Sequence, residues 1–208
     1  MQHDISKEPT WLLRYIRKVN SQNGEDGIIE KILEIIPQKS NWCVEFGAWD
    51  GIHLSNVHNL IENKGFLAVL IESDKHKFRK LQANCSQYSN VFAINKLVGF
   101  TPIDNLDNIL ENTSIPRNFD VLSIDIDGND FHVWKAISNY QPKLVVIEFN
   151  PTIPTSIDFV QSAEHSVKQG SSLLALVKLG KEKGYELVCV LKYNAFFIRK
   201  EYYPFLVE

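Results

Sequence analysis

Apolar residues cluster along the chain in short runs, and segments with apolar positions three and four apart lie between them. The runs at residues 42–46, 66–71, 90–98, 119–126 and 144–149 predict five buried strands. The spaced segments at 53–62, 75–84, 106–110 and 131–137 predict the helices between those strands. Ahead of them, residues 9–19 read as a short helix with Pro9 in its first turn and Trp11, Leu12, Tyr15, Ile16 and Val19 on one side. A second helix, over 28–36, is stopped by Pro37. After the fifth strand comes an irregular stretch from Asn150 through Gly170, punctuated by Pro151 and Pro154. A helix over 172–183 then ends at Gly184. Strands at 186–191 and 194–199 follow, joined by a tight polar turn and hence antiparallel. Strands alternating with helices predict an α/β fold: a Rossmann-like, doubly wound, mostly parallel sheet with a C-terminal antiparallel hairpin. The length suits one domain over 1–208, with residues 1–40 as a helical cap over its site.

Composition narrows the partners. A formal charge of -3 and a pI near 6.1 give no basic face for a polyanion, so neither nucleic acid nor an anionic membrane surface is expected. The densest basic cluster, Lys75, Lys77, Arg79 and Lys80, reads as a solvated helix face. Cys43, Cys85 and Cys189 lie far apart with no CxxC pair, which fits a reducing compartment better than a disulfide scaffold. No basic region followed by an apolar run marks a signal peptide, and no apolar run reaches the roughly 18 residues of a membrane span. A cytoplasmic protein is the expectation.

The chemistry concentrates at strand ends. Strand one runs into an acid and a glycine-bearing turn, Glu45-Phe-Gly-Ala-Trp-Asp-Gly51, and strand two ends in Glu72. A strand, a glycine turn, a helix and a second acid-tipped strand make a nucleotide pocket, in which the second acid suits a ribose diol. The dinucleotide fingerprint of an NAD(P)-dependent oxidoreductase wants a third glycine three residues after Gly51, where Leu54 stands. Past strand four come Asp125, Asp127, Asn129 and Asp130, with Glu148 and Asn150 past strand five. So many acids at one cleft edge repel unless protonated or bridged by a cation. Asp125, Asp127, Glu148 and Asn150 are therefore candidate oxygen ligands for Mg2+, against the alternative of solvated loop acids. His53, just after the glycine turn, is a candidate base or substrate contact, or else a solvent-facing helix-end residue. His132 and His165 sit in or near candidate lid segments, and Ser172 reads as a helix N-cap. The irregular stretch after strand five is long enough to suggest acceptor recognition. Trp42 and Trp134 read as core.

Together, Glu45-Phe-Gly-Ala-Trp-Asp-Gly51, Glu72 and Asp120-Val-Leu-Ser-Ile-Asp-Ile-Asp-Gly128 resemble a class I S-adenosyl-L-methionine (SAM) methyltransferase. More narrowly they resemble the FkbM-like branch, and the resemblance runs from Ser21-Gln22-Asn23-Gly24-Glu25-Asp26-Gly27 to the final hairpin. It implies that Glu45, Gly47 and Gly51 shape the cofactor turn and that Asp50 lies near the methionine moiety. Glu72 would hold the ribose and Ser73 would lie beside the adenine. Gln22 and Glu25 would close over the cofactor, and Asp125 would stand where cofactor and acceptor meet. Trp49 departs from the pattern, because many class I enzymes carry a small residue there. Without a metal, Asp125 or Asp127 is the expected general base. The activity implied is O-methylation of a small-molecule or saccharide hydroxyl, of the kind FkbM-like relatives perform in antibiotic or surface-polysaccharide modification. An oxidoreductase on the same fold, and a non-catalytic module that binds SAM or S-adenosylhomocysteine (SAH), are the alternatives.

Overall fold

A computed structural model describes residue 8 and residues 10–207. Pro9, expected in the first turn of the N-terminal helix, lies outside the described residues. Beyond a 3-10 helix at Trp11–Tyr15, the order is α1 (Glu25–Ile35), β1 (Trp42–Phe46), α2 (His58–Lys64), β2 (Leu67–Ile71), α3 (Lys75–Cys85) and β3 (Val91–Ile94). Then come α4 (Leu106–Leu110), β4 (Val121–Ile124), α5 (Asp130–Ala136), β5 (Leu144–Glu148), α6 (Leu173–Glu182), β6 (Tyr185–Val190), β7 (Asn194–Arg199) and α7 (Pro204–Val207). The strands form one sheet in the order β3-β2-β1-β4-β5-β7-β6. β7 slots between β5 and β6 and is antiparallel to both, while every other pairing is parallel. The expected sheet and its one reversed strand are as observed.

The central strands are apolar on both faces because helices cover both. Cys43, Ala68, Leu70, Val121, Leu144 and Val146 face the layer that holds α1, with Ile28, Ile29 and Ile32 packed on them. Val44, Phe46, Val69, Leu122, Ile124 and Val145 face the opposite layer, where Leu106, Val133, Trp134 and Leu176 come from α4, α5 and α6. Alternate residues of one run thus serve two cores, which is the period-two geometry of a strand.

At the N-terminal ends of the strands the sheet is closed by a buried ion pair. Lys143 Nζ, ahead of β5, donates to Asp120 Oδ1, ahead of β4, and to the carbonyl of Gln38. Asp120 also accepts the backbone N–H groups of Ser40 and Asn41, so one carboxylate ties the approach to β1 to β4 and β5. Both side chains are fully buried, so each ion's desolvation is offset only by the other and by these hydrogen bonds.

Several boundaries differ from the sequence reading. The segment expected to be helical from residue 53 becomes so only at His58. Before that, the Asp50 carboxylate accepts the N–H groups of Ile52 and His53, and Leu54 takes φ +59° in a parallel bridge to Ser21. The N-terminal helix shortens to its 3-10 turn, whereas α1 begins earlier than expected, at Glu25 behind a left-handed Gly24. Strands three and four shorten to the residues paired in β3 and β4. Among the described residues no helix is long and apolar enough to cross a membrane.

Candidate functional site

The C-terminal ends of β2, β1, β4 and β5, with the start of β7, surround a cleft of about 560 Å3. Its floor depends on Gly47. This residue has φ +76°, and a Cβ there would stand 1.9 Å from the Asp125 carbonyl oxygen, so only glycine lets the loops after β1 and β4 cross. Both strand-tip acids of the sequence reading, Glu45 and Glu72, line this one cleft. Glu45 accepts from Ser55 Oγ at 2.6 Å and Asn56 N at 2.9 Å, which bends the chain back toward β1 and delays α2. Burial raises its pKa, and hydrogen bonds from Ser55, Asn56 and Ser123 pull against that rise. Glu72 accepts Trp49 N at 2.9 Å and Asp74 N at 2.7 Å, tying the glycine turn to the end of β2. Each of its oxygens keeps a second lone pair.

The end of the cleft at the tips of β4 and β5 is acidic. Carboxylate oxygens of Asp125, Asp127 and Glu148 lie within 4.8 Å of one another. Burial, then the charges of Asp130, Asp127 and Glu45, push Asp125 up to about 7. Burial, then the charges of Asp125, Asp130 and Asp127, push Glu148 to about 9. Lying this close, the two titrate as a coupled pair, and burial holds a proton on them above the ordinary carboxylate range. Asp130, fully buried at the start of α5, accepts the N–H groups of Ile126 and Gly128, and burial lifts it to about 6.

The far wall comes from β7. Asn194 stands opposite Glu148 in the β5–β7 register, and its Nδ2 donates to Glu25 Oε1 at 3.0 Å. Glu25 Oε2 is taken by Asn23 N. Beside it Asp26 Oδ2 accepts from Val19 N, Asn20 N, Ser21 N and Ser21 Oγ, and this rigid turn presents Gln22 at the mouth of the cleft. A smaller cavity of about 240 Å3 adjoins the cleft through Gly47, Ser73, Asp127 and Lys168. Phe46, Ile71, Leu97, Val98 and Ile126 give it apolar walls.

Of the expected site residues, Gln22, Glu45, Gly47, His53, Glu72, Ser73, Asp125, Asp127 and Glu148 line the cleft. Four do not. Glu25 lies behind Asn194, which it orients. Asp50 is turned to the N–H groups of Ile52 and His53. Gly51 is buried, its Cα hydrogen facing Cys85 and Leu81 rather than the cleft. Asn150, grouped with the acids as a metal ligand, stands apart from them: its amide spans Gln169 O and the N–H and hydroxyl of Thr152. The long stretch after β5 is knitted around the Gln161 side chain, which bridges Asn129, Val167, Gln169 and Gly170 and so lays Lys168 over the cleft edge. His132 is tied to the Gln161 carbonyl and His165 stacks on Phe100, so neither lines the main cleft. Ser172 caps α6 as expected. Sequence reasoning missed Asn194, Tyr193 and Lys168 as lining residues. Their placement depends on β7 lying beside β5 and on the fold of the 150–172 loop, neither of which leaves a local signal.

Residues 101–187 match the methyltransferase FkbM domain. No curated protein matches the chain. Among solved structures, the chain is similar to magnesium protoporphyrin IX methyltransferase from Synechocystis PCC 6803 with bound SAH, at 9% identity and a TM-score of 0.52 over 90% of this chain and 92% of that one. It is similar to precorrin-6y C5,15-methyltransferase from Geobacter metallireducens GS-15, at 14% identity and a TM-score of 0.51 over 88% and 91%. The SAH-bound N-terminal domain of EvdMO1 gives 11% identity and 0.51 over 86% and 80%. At these identities the likeness is one of fold.

Proposed function

We propose that this chain is a class I SAM-dependent methyltransferase, a reading supported by the FkbM-domain match and the fold, and that it methylates a hydroxyl of a small-molecule or saccharide acceptor with Asp125 as the proton acceptor. The observation that carries the reading is the gathering of Asp125, Asp127 and Glu148, their oxygens within 4.8 Å of one another, in the same cleft as Glu45 and Glu72. The residues fit the cofactor: a glycine turn that lets the loops after β1 and β4 meet at the cleft floor, a ribose-suited carboxylate, and an acidic end for a cationic sulfonium. When bound, SAM supplies the activated methyl group.

Strand spacing sets the order of parts. Neighbouring strands lie about 4.8 Å apart, so the β2 and β4 tips are separated by roughly 10 Å. Glu72 would hold the ribose on its free lone pairs, the apolar cavity beside Ser73 would take the adenine, and Asp125 would face the methyl-bearing end. The acceptor then lies over β5 and β7, against Glu148, Tyr193 and Asn194. Methyl transfer is an in-line displacement, so the chain's work is to orient the acceptor and take its proton. That proton passes to a carboxylate oxygen of Asp125, while Glu148 keeps the proton that the pair already holds. His53 and Asp127, both exposed at the rim, are the secondary candidates for contact with the acceptor.

The unit is proposed to be one methyltransferase-like domain over the whole chain, with residues 1–40 as its cap; the Ser21–Leu54 bridge and the position of Gln22 support this. The three unpaired, buried cysteines support a cytoplasmic setting. A role in glycan or polysaccharide modification rests on the sequence resemblance alone. A second reading places Mg2+ on Asp125, Asp127 and Glu148, favoured by their oxygens lying within 4.8 Å of one another. Thermal-shift assays with SAM, SAH, NAD(P)H and Mg2+ test the first step, since a ligand of the native state raises its melting point. The reading requires stabilisation by SAM and SAH and none by NAD(P)H. Methyl transfer to a hydroxyl panel, lost in Asp125→Asn and unaffected by EDTA, tests the second; loss of activity in EDTA would favour the metal.

A further inference from the structure

Trp49 is out of place as a structural residue. It sits in the glycine turn with φ +47°, a left-handed backbone that bulky side chains rarely adopt. Its indole is 41% exposed, whereas Trp42 and Trp134 are buried in the core. The conformation is held from both ends of the residue. The amide N donates to Glu72 Oε2, the carboxylate assigned above to the ribose. At the other end, the Lys77 ammonium lies 5.0 Å over the indole, and the His53 ring meets it edge-on at 5.4 Å. Trp49, His53 and Lys77 all line the main cleft. A strained backbone that serves to hold a large aromatic ring in solvent is the pattern of a binding residue.

We infer that the Trp49 indole is the outer jaw of the cofactor site, closing on the ribose–sulfonium side of an adenosyl ligand with His53 and Lys77 fixing its angle. The inference rests on the SAM reading. The backbone amide of Trp49 is bonded to the carboxylate that takes the ribose, and both residues line one cleft, so a ligand on Glu72 lies beside the indole. Its aromatic face suits a cation, and the Lys77 ammonium already over it marks that property. A small residue at this position would leave the same floor and the same Glu72 contact but an open side.

The test is a titration of the full chain with SAH, followed in parallel by tryptophan fluorescence and calorimetry. The wild type should show a saturable fluorescence change at the calorimetric dissociation constant. Trp49→Phe should bind SAH with that change abolished. Trp49→Gly removes the ring and the backbone strain together. It should bind SAH roughly fivefold to tenfold more weakly, the scale of one aromatic contact, while its ligand-free melting temperature equals or exceeds that of the wild type. A purely structural Trp49 predicts the reverse for stability, so a lowered melting temperature with undiminished affinity overturns the inference. So does SAH binding that leaves wild-type fluorescence unchanged. Absence of SAH binding to the wild type would instead remove the cofactor reading on which this one rests.

Discussion

β4 and β5 carry charged side chains at both of their ends, and the two ends are built on opposite principles. At the N-terminal ends Asp120 meets Lys143, and both are buried and hydrogen-bonded within the chain. At the C-terminal ends Asp125 and Glu148 meet with Asp127 and Asp130 nearby; their pKa values rise because of burial and then because like charges share the site. The first arrangement closes the sheet. The second leaves electrostatic free energy unrelieved, to be offset by a proton, a sulfonium or a metal ion. Charge that is satisfied in the chain itself stabilises the fold, and charge left unsatisfied in a cleft marks where chemistry happens.

Four changes would break or sharpen this contrast. The largest effect should come from the closed end: Lys143→Met leaves the Asp120 carboxylate buried without its cation and should cost about 3–5 kcal/mol in denaturant unfolding, whereas SAH affinity of the folded protein stays as it was. At the open end, Asp125→Asn should lower kcat by about 10^2- to 10^4-fold, the range for losing a general base, with no loss of stability at pH 8. Wild-type turnover should rise with pH through about 7 as Asp125 loses its proton.

Stability should run the other way. Asp130, Asp125 and Glu148 have folded-state pKa values raised to about 6, 7 and 9, so the folded protein binds more protons than the unfolded chain above the ordinary carboxylate range. Their stabilisation is complete below pH 4 or so and is lost as pH climbs through those values. The melting temperature should therefore fall between pH 5 and about 9, and Glu148→Gln should flatten the decline. The smallest effect should be at Asn150→Ala, whose side chain serves only its own loop: SAH affinity should stay within about twofold of wild type.

The sheet was largely legible because its central strands are mostly apolar on both faces, as a doubly covered sheet requires. Residues 42–46 and 194–199 even carry the observed bounds of β1 and β7. The acids at the strand tips were legible for the same reason, since a strand fixes where its last residue points. What failed was local pattern under tertiary control. Residues 53–57 have helical spacing, yet buried Glu45 needs the donors of Ser55 and Asn56, and that need wins over propensity. Glu25 and Asn150 have the right residue type beside the cleft but are committed to other partners, Asn194 and the loop backbone. Asn194 was invisible because a hairpin in sequence does not say which of its strands lies against β5.

The central claim is that the cleft between the tips of β1 and β2 grips an adenosyl ligand through Glu72. Calorimetric titration of wild type and Glu72→Ala with SAH tests it most directly. The account predicts binding to the wild type, weakened in the variant by about 1–3 kcal/mol, the scale of a lost charged hydrogen bond. Equal affinity in the two proteins, or no binding to either, would contradict it.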